Sequence, residues 1–400
     1  MSLPTIAFFS PIAGKQLTHR ILKTLDSVDF VVRSEDDIDS LPGMNANRVI
    51  LFIGTGGTEG LVASFVNQVP LKSSVLLAHM ENNSLPAAME IRAYLDQCDI
   101  DSEIKQGSLG DLREIIQILH YYEDIFSKLN GMRIGIIGSP SSWLIASQID
   151  KSAVQKNWGV EIINIPFSRL ESIELVDMDE LAELEMVPVH NQIEKHDLMS
   201  ASEITRSLLT IKKYQKLDAL TLDCFRLVEA TDVTGCLALA TLNSLGIPAG
   251  CEGDVPSTFT MLLAKLLTGQ SSFMANVIEV NKNKNSVVLA HCTVPFSLVD
   301  DYDFMTHYET GKSVGIRGRF PKSDVTLLKV FGSALSDYWV AEGTIQRNLT
   351  RKEACRTQLE IRLDSPVDYF LQHSLANHHI LIPGSYAQEI RTFLEHVLMF

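Results

Sequence analysis

Five short apolar runs separated by amphipathic segments open this chain, and that alternation limits its possible folds more than any other feature. "TIAFFS", "DFVVRS", "RVILFIG", "SSVLLAHM" and "DSEIKQG" read as strands. Most are continuously apolar, the pattern of strands covered on both faces. Between them lie helical segments such as "GKQLTHRILKTLDS" and "PAAMEIRAYLDQC", and "LGDLREIIQILHYYEDIFSKLNG" closes the cycle near Gly131. A second cycle begins at "MRIGIIGSPSSWLIAS", read as a strand, a turn and a helix. It runs through "VEIINIP", an acidic helical region at 169–187, the helix "SASEITRSLLTIKKYQKL", the strand "DALTLDCF" and the helix "VTGCLALATLNSLG". Beyond about residue 270 strands dominate, from "MANVIEVNKNKNSVVLAHCTV", two strands around a turn, to "HHILIPG", and a helix, "YAQEIRTFLEHVLMF", follows. The expected fold is α/β, with two Rossmann-like, doubly wound domains of parallel sheet over 1–130 and 131–270. A β-rich C-terminal domain is expected over 271–400.

Four hundred residues, 46% hydrophobic and 21% charged, suffice for more than one buried core. The formal net charge of -15 argues against a general nucleic-acid or anionic-membrane surface. The N-terminal "MSLPTIAFFSPIAGK" lacks the basic and long apolar regions of a signal peptide, and no apolar run reaches the roughly 20 residues of a membrane span. A cytoplasmic protein is therefore expected, its six scattered cysteines reduced.

Two places carry candidate chemistry. "ILFIGTGGTEG" at 50–60 sets glycines between a buried strand and a helix, as either a tight turn capped by Thr58 or an anion-binding loop. It lacks both the P-loop ending and the dinucleotide spacing. "PAGCEGDVPSTFT" at 248–260 places Glu252 and Asp254 at a junction before an apolar helix, where Asp254 is either a helix cap or a working carboxylate. Further on come Asn276 in "FMAN", His291 in "LAHCT", His307 and Glu309 in "HYETG", and His378 and His379 in "ANHH". A single buried histidine is usually structural. One carboxylate with two imidazoles, however, suits Mn²⁺, Fe²⁺, Co²⁺ or Zn²⁺.

Taken in order, "LDCFRLVE", "ALATLNSLGIPAGCEGDVPSTFTMLLAKLLTG", "FMANVIEV", "LAHCTVPFSL", "HYETGKSVGIRG" and "HHILIPG" resemble the L-fucose isomerase and L-arabinose isomerase superfamily, in particular its shorter fucose-isomerase-like members. "GTGGTEG" fits the same group, and the resemblance is strongest over 219–320. It implies a metal-dependent aldose–ketose isomerase acting on a free sugar. Proton transfer between C1 and C2 would run through a cis-enediolate, with Mn²⁺ or another divalent transition metal as cofactor. The glutamate of "EGD", Glu252, is then a metal ligand and acid/base group. His379 of the "HH" pair and His291 complete the expected metal set. Asp254 or Glu309 would be the second carboxylate. Cys224, Asn276, His307, Arg319 and His378 are the expected substrate contacts. Where the family has a second acidic ligand, this chain has Ala275 and Asn276. An amide oxygen ligates weakly and is no general base.

Two rival readings follow from these residues. The departure at Asn276 suits a sugar-binding protein without turnover. Arg317, Arg319 and Lys322 in "GIRGRFPK" suit an isomerase of an anionic sugar, sulfonated or phosphorylated, or else an ordinary solvated rim. The resemblance also implies a homo-oligomer, a trimer or hexamer.

Overall fold

A computed structural model describes residues 3–41, 47–172 and 187–398. Most of the acidic region expected to be helical at 169–187 lies outside the described residues. The chain divides into two compact units, one of residues 3–128 with 395–398 and the other of residues 129–394.

In the first unit, strands β1 (Thr5–Phe8), β2 (Phe30–Val32), β3 (Arg48–Ile53), β4 (Ser73–His79) and β5 (Asp101–Gly107) form one sheet in the order β2-β1-β3-β4-β5, parallel throughout. Strand alternation sends Ile6, Phe8, Leu51 and Ile53 into one core cluster and Ala7, Phe9, Ile50 and Phe52 into another. Each face is thus a separate apolar layer, which is why these strands read as unbroken apolar runs. At the "GTGGTEG" loop the Thr58 hydroxyl donates to the Thr55 carbonyl at 3.1 Å and caps no helix N–H.

The second unit starts with β6 (Arg133–Ile137), β7 (Glu161–Ile165), β8 (His190–Asn191), β9 (Ala219–Leu222) and β10 (Ala249–Gly250). Four of them make a parallel sheet in the order β10-β9-β6-β7. Residues after β6 do not form the helix expected from "SPSSWLIAS". Pro140 and the serines leave 138–150 as turns, and a helix begins only at Lys151–Trp158, where Asp150 caps the N–H groups of Ser152 and Ala153. The segment "CFRLVE", read in part as strand, is the helix Cys224–Thr231.

The β-rich part comprises β11 (Phe273–Asn281), β12 (Ser286–His291), β13 (Asp301–Met305), β14 (Gly315–Arg319), β15 (Asp324–Phe331), β16 (Asp337–Asn348), β17 (Thr357–Leu363) and β18 (His378–Pro383). Six of these close a barrel in the order β11-β12-β17-β16-β15-β18. The strand β13, which the apolar pattern misses in "DYDFM", pairs with β14 and β8 in a small separate sheet. Closure leaves no barrel edge unpaired.

The helix Val255–Thr268 packs against β6 and β9 of the parallel sheet and against β15 and β18 of the barrel. Its residues from Val255 to Ala264 are all buried, so that stretch has no solvent face and reads as an apolar run without clear periodicity. The turn that feeds it is tight. Glu252 has φ 62° and Gly253 φ 66°, two successive left-handed residues. A Cβ on Gly253 would lie 2.6 Å from both Pro140 Cα and the Ser139 carbonyl oxygen, backbone atoms with no freedom to yield. Gly253→Ala should therefore lower unfolding stability by more than about 2 kcal/mol. Gly269→Ala, at φ 68° but with open space around the added methyl, should cost only about 1 kcal/mol. Equal losses in denaturant titration would contradict this account of the turn.

Candidate active site

The carboxyl ends of β9 and β10 converge beside the mouth of the barrel, and this convergence builds the site. Glu252 leaves β10 in its left-handed conformation, which ordinary residues adopt only where surroundings enforce it. Three backbone bonds do so. The Glu252 carbonyl accepts from Ser141 N–H at 2.9 Å, Gly253 N–H donates to Leu222 at 3.0 Å, and Asp254 N–H donates to Cys251 at 3.1 Å. The carboxylate is held as well, because the Trp143 indole N–H donates to Glu252 Oε2 at 2.7 Å. Nothing in the sequence assigned Trp143 a role; it sits where a turn was expected to lead into a helix and packs edge-on against Phe225.

His291 ends β12 and His378 begins β18. Glu252, His291 and His378 are the group among the described residues whose ligand atoms all lie within 4.8 Å of one another. His378 Nε2 is 3.7 Å from Glu252 Oε1, is buried, and has no hydrogen-bond partner. Its Nδ1 lies 2.9 Å from Asp254 Oδ2, so Nδ1–H donates to the carboxylate and Nε2 presents its lone pair to the cluster. Burial, followed by the nearby His378 and His307 rings, pushes the His291 pKa down to about 3, which keeps that ring neutral. An orphaned imidazole nitrogen, a neutral second imidazole and a carboxylate form a donor set that fits a divalent transition metal.

The structure brings His378 to this cluster and not its neighbour His379. Successive strand residues face opposite ways, and His379 turns to the barrel interior, against Trp339, Tyr369 and Phe370 with ring centroids 5.7, 5.7 and 5.1 Å away. Its Nε2 is 3.0 Å from the Tyr369 hydroxyl, which itself accepts from Leu375 N–H. In sequence the two adjacent histidines are equivalent, and only the register of β18 tells them apart. In that register Asn276 of β11 stands opposite His378.

Asp254 is fully buried and off the cavity wall. It caps the helix Val255–Thr268 by accepting from Ser257 N–H at 2.9 Å and takes the Ser257 hydroxyl at 2.7 Å. The ammonium of Lys329, also fully buried, donates to Ser257 Oγ at 2.8 Å and lies 3.9 Å from Asp254. Burial alone would raise the Asp254 carboxyl. Lys329 and the His378 hydrogen bond outweigh that and hold it well below the usual carboxylate range. Lys329, in the middle of the apolar strand "DVTLLKVF", carried no signal of its own in the sequence.

A cavity of about 460 Å³, its open mouth included, adjoins the cluster. Glu252, Asn276, His291, His307 and Glu309 line it together with Phe225 and Cys224, so most of the expected site residues share one space. Burial, then the charge of Glu252, raises the Glu309 carboxyl. His307 is lowered by burial and by Arg356. The Asn276 carbonyl accepts from the Asn377 amide at 3.0 Å, which leaves its own amide N–H groups as donors. Arg319 lies elsewhere. It forms a bidentate pair with Asp303 at 2.7 and 3.0 Å and bonds to Asp301, on the sheet of β13 and β14.

No family model matches the chain. Over 175 residues it is 21% identical to proteins named sulfoquinovose isomerase from Priestia aryabhattai and Priestia megaterium, covering 42% of this chain and 39% of theirs. A protein of the same name from Alkalicoccus urumqiensis is 20% identical over 201 residues, 48% of this chain and 43% of its own. The chain thus spans well under half the length of the curated relatives it matches. Sulfoquinovose is a hexose bearing a sulfonate, so these relatives agree with the resemblance at the level of sugar isomerases.

The Asp254–Lys329 pair yields a test of this geometry. Asp254→Asn should destabilise the protein by about 3–5 kcal/mol, because it strands a buried ammonium. Lys329→Met added to it should recover most of that loss. A carboxyl depressed on folding contributes stability that is present above its unfolded value, about pH 4, and lost as pH falls through its lower folded value. Denaturant midpoints followed from pH 7 into acid should therefore show a shallower acid decline in Asp254→Asn. An unchanged midpoint at neutral pH in the single variant would refute the pairing.

Proposed function

We propose that this protein is a metal-dependent aldose–ketose isomerase whose ion is held by Glu252, His291 and His378. One observation carries the reading: three donor atoms of the right types converge, and two of their residues, Glu252 and His291, line a cavity that also holds a second carboxylate, Glu309. Mn²⁺ or another divalent transition ion, when bound there, would polarise neighbouring sugar oxygens and offset the charge that develops on them. The rest of the chemistry belongs to the chain. Glu309, its carboxyl raised by burial and by Glu252, is suited to take a proton from one sugar carbon and return it to the next. Asp254 has its oxygens committed to Ser257, Lys329 and His378, so its part is to orient His378 and not to move the substrate proton. Trp143 fixes the direction of the Glu252 carboxylate, and its half-exposed indole offers an apolar face beside the cavity. Asn276 supplies amide donors for a sugar hydroxyl.

Two substrate classes remain distinct. The described cavity lining carries Glu252 and Glu309 and no lysine or arginine, which favours a neutral sugar of the fucose or arabinose type. The name shared by the relatives favours a sulfonated or phosphorylated sugar. A panel of both classes, with Mn²⁺ supplied and deuterium incorporation at C2 as the readout, decides between them. Exchange on neutral sugars alone supports the first, and exchange that requires the anionic group supports the second. No exchange with any sugar, metal being bound, would point to a binding protein.

The residue assignment has its own expected outcomes. Glu252→Gln and His378→Ala should each weaken Mn²⁺ binding by about tenfold or more in calorimetric titration. His379→Ala should keep the metal and lose stability instead. Glu309→Gln should retain metal while exchange falls by about 10²–10⁴-fold. Full metal affinity in His378→Ala would overturn the ligand set.

A further inference from the structure

Five of the six cysteines line the one cavity that holds Glu252 and His291: Cys224, Cys236, Cys251, Cys292 and Cys355. Nothing in the isomerase chemistry above uses a thiol. Two of these residues touch through sulfur. Cys251 Sγ lies 2.8 Å from Cys224 Sγ, closer than two non-bonded sulfurs ordinarily rest. The pairing follows from the fold. Neighbouring parallel strands β9 and β10 end together, with Thr221 opposite Gly250, so the chain delivers one cysteine just beyond each strand end onto the same wall.

We propose that Cys224 and Cys251 form a reversible disulfide that withdraws the Glu252 carboxylate from its place. The proposal rests on the metal reading only for its consequence, not for the bond itself. A peroxide reaching the cavity supplies the oxidant. The two sulfurs lose two electrons and join, the peroxide O–O bond breaks, and both thiol protons leave with the oxygens as water. A dithiol reductant reverses the step.

The consequence follows from the stiffness of the turn. A disulfide sets its sulfurs about 2.05 Å apart and fixes the torsion about the bond, so Cys224 and Cys251 draw toward each other. Glu252 follows in the chain, and the turn has no slack to absorb the shift. Gly253 abuts the backbone of Ser139 and Pro140, Ser141 N–H holds the Glu252 carbonyl, and Cys251 N–H meets Met274 Sδ at 3.5 Å. The movement therefore passes to the side chain of Glu252 and to its bond with Trp143.

The test treats the full-length protein with hydrogen peroxide, removes the oxidant and counts thiols after denaturation. The expected count falls from six to four, with one peptide pair, containing Cys224 and Cys251, joined and lighter by two hydrogens. Mn²⁺ affinity should fall at least tenfold and return with dithiothreitol, whereas in Cys224→Ser it should not respond to peroxide. The Trp143 indole N–H resonance, assigned with Trp143→Phe, should shift on oxidation in the parent protein and stay in place in Cys224→Ser. Six surviving thiols, or a disulfide that joins Cys292 to Cys355 instead, would overturn the bond. A Cys224–Cys251 disulfide with both Mn²⁺ affinity and the indole signal unchanged would overturn the switch. If the reduced protein binds no Mn²⁺, the metal reading fails, and the thiol count and indole signal still decide this one.

Discussion

A single buried carboxylate, that of Asp254, ties together the parts of the chain on which the candidate site depends. It closes the first turn of the helix Val255–Thr268, faces the ammonium of Lys329 on β15, and takes the Nδ1–H of His378 on β18. These residues lie 75 and 124 positions downstream of it. An ammonium with no exposed surface is tolerable only beside a negative charge, and the helix N-terminus favours that charge in the same place. Barrel and parallel sheet are thereby held in one register about a polar contact, which the Thr260 hydroxyl extends by accepting from Val330 N–H at 3.0 Å. Apolar packing alone tolerates sliding, whereas a buried ion pair with directional hydrogen bonds does not.

The same contact sorts the carboxylates by task. Asp254 is kept ionised by Lys329 and points away from the cavity. Glu252 faces the histidines and is braced by Trp143. Glu309, on the loop between β13 and β14, is pushed toward its protonated form by burial and by the charge of Glu252. Asp254 and Glu309 therefore hold protons with opposite tenacity because their surroundings differ. The histidines are sorted likewise. The hydrogen bond to Asp254 fixes the tautomer of His378, burial keeps His291 neutral, and the turn of one strand residue sends His379 into an aromatic cage.

Much of the architecture was legible because it rests on local pattern. The strands of the first sheet are buried on both faces, which makes them continuous apolar runs, and "NKNKN" between two such runs marks a hairpin. What escaped notice depends on distant partners. "DYDFM" is a strand although two of its five residues are acidic, because Asp301 and Asp303 are met by Arg319 across the pair with β14. That same pairing occupies the arginine that the sequence offered as a substrate contact. The "SPSSW" segment read as a turn leading into a helix, and its proline and backbone contacts to Glu252 and Gly253 make it a brace instead. Glu252, His291, Asn276 and Glu309 were all recognisable as chemistry, yet the choice between His378 and His379 needed the strand register.

The wall of the cavity completes the physical picture. Cysteines, Val228 and Phe225 give it surfaces that hold water weakly, and within that setting each charged or donating group counts for more than it would in solvent. The sulfur atoms of that wall also bring a chemistry that aliphatic side chains of similar size would not. Five thiols beside a carboxylate–histidine cluster can respond to oxidants, where valine or alanine could not. Their concentration here, with only Cys98 exposed and apart, makes this cavity the place where the redox state of the surroundings can reach the fold. The turn at Cys251–Gly253 is the point at which that influence would meet the Glu252 carboxylate, since one residue of the turn bears the thiol and the next bears the carboxylate.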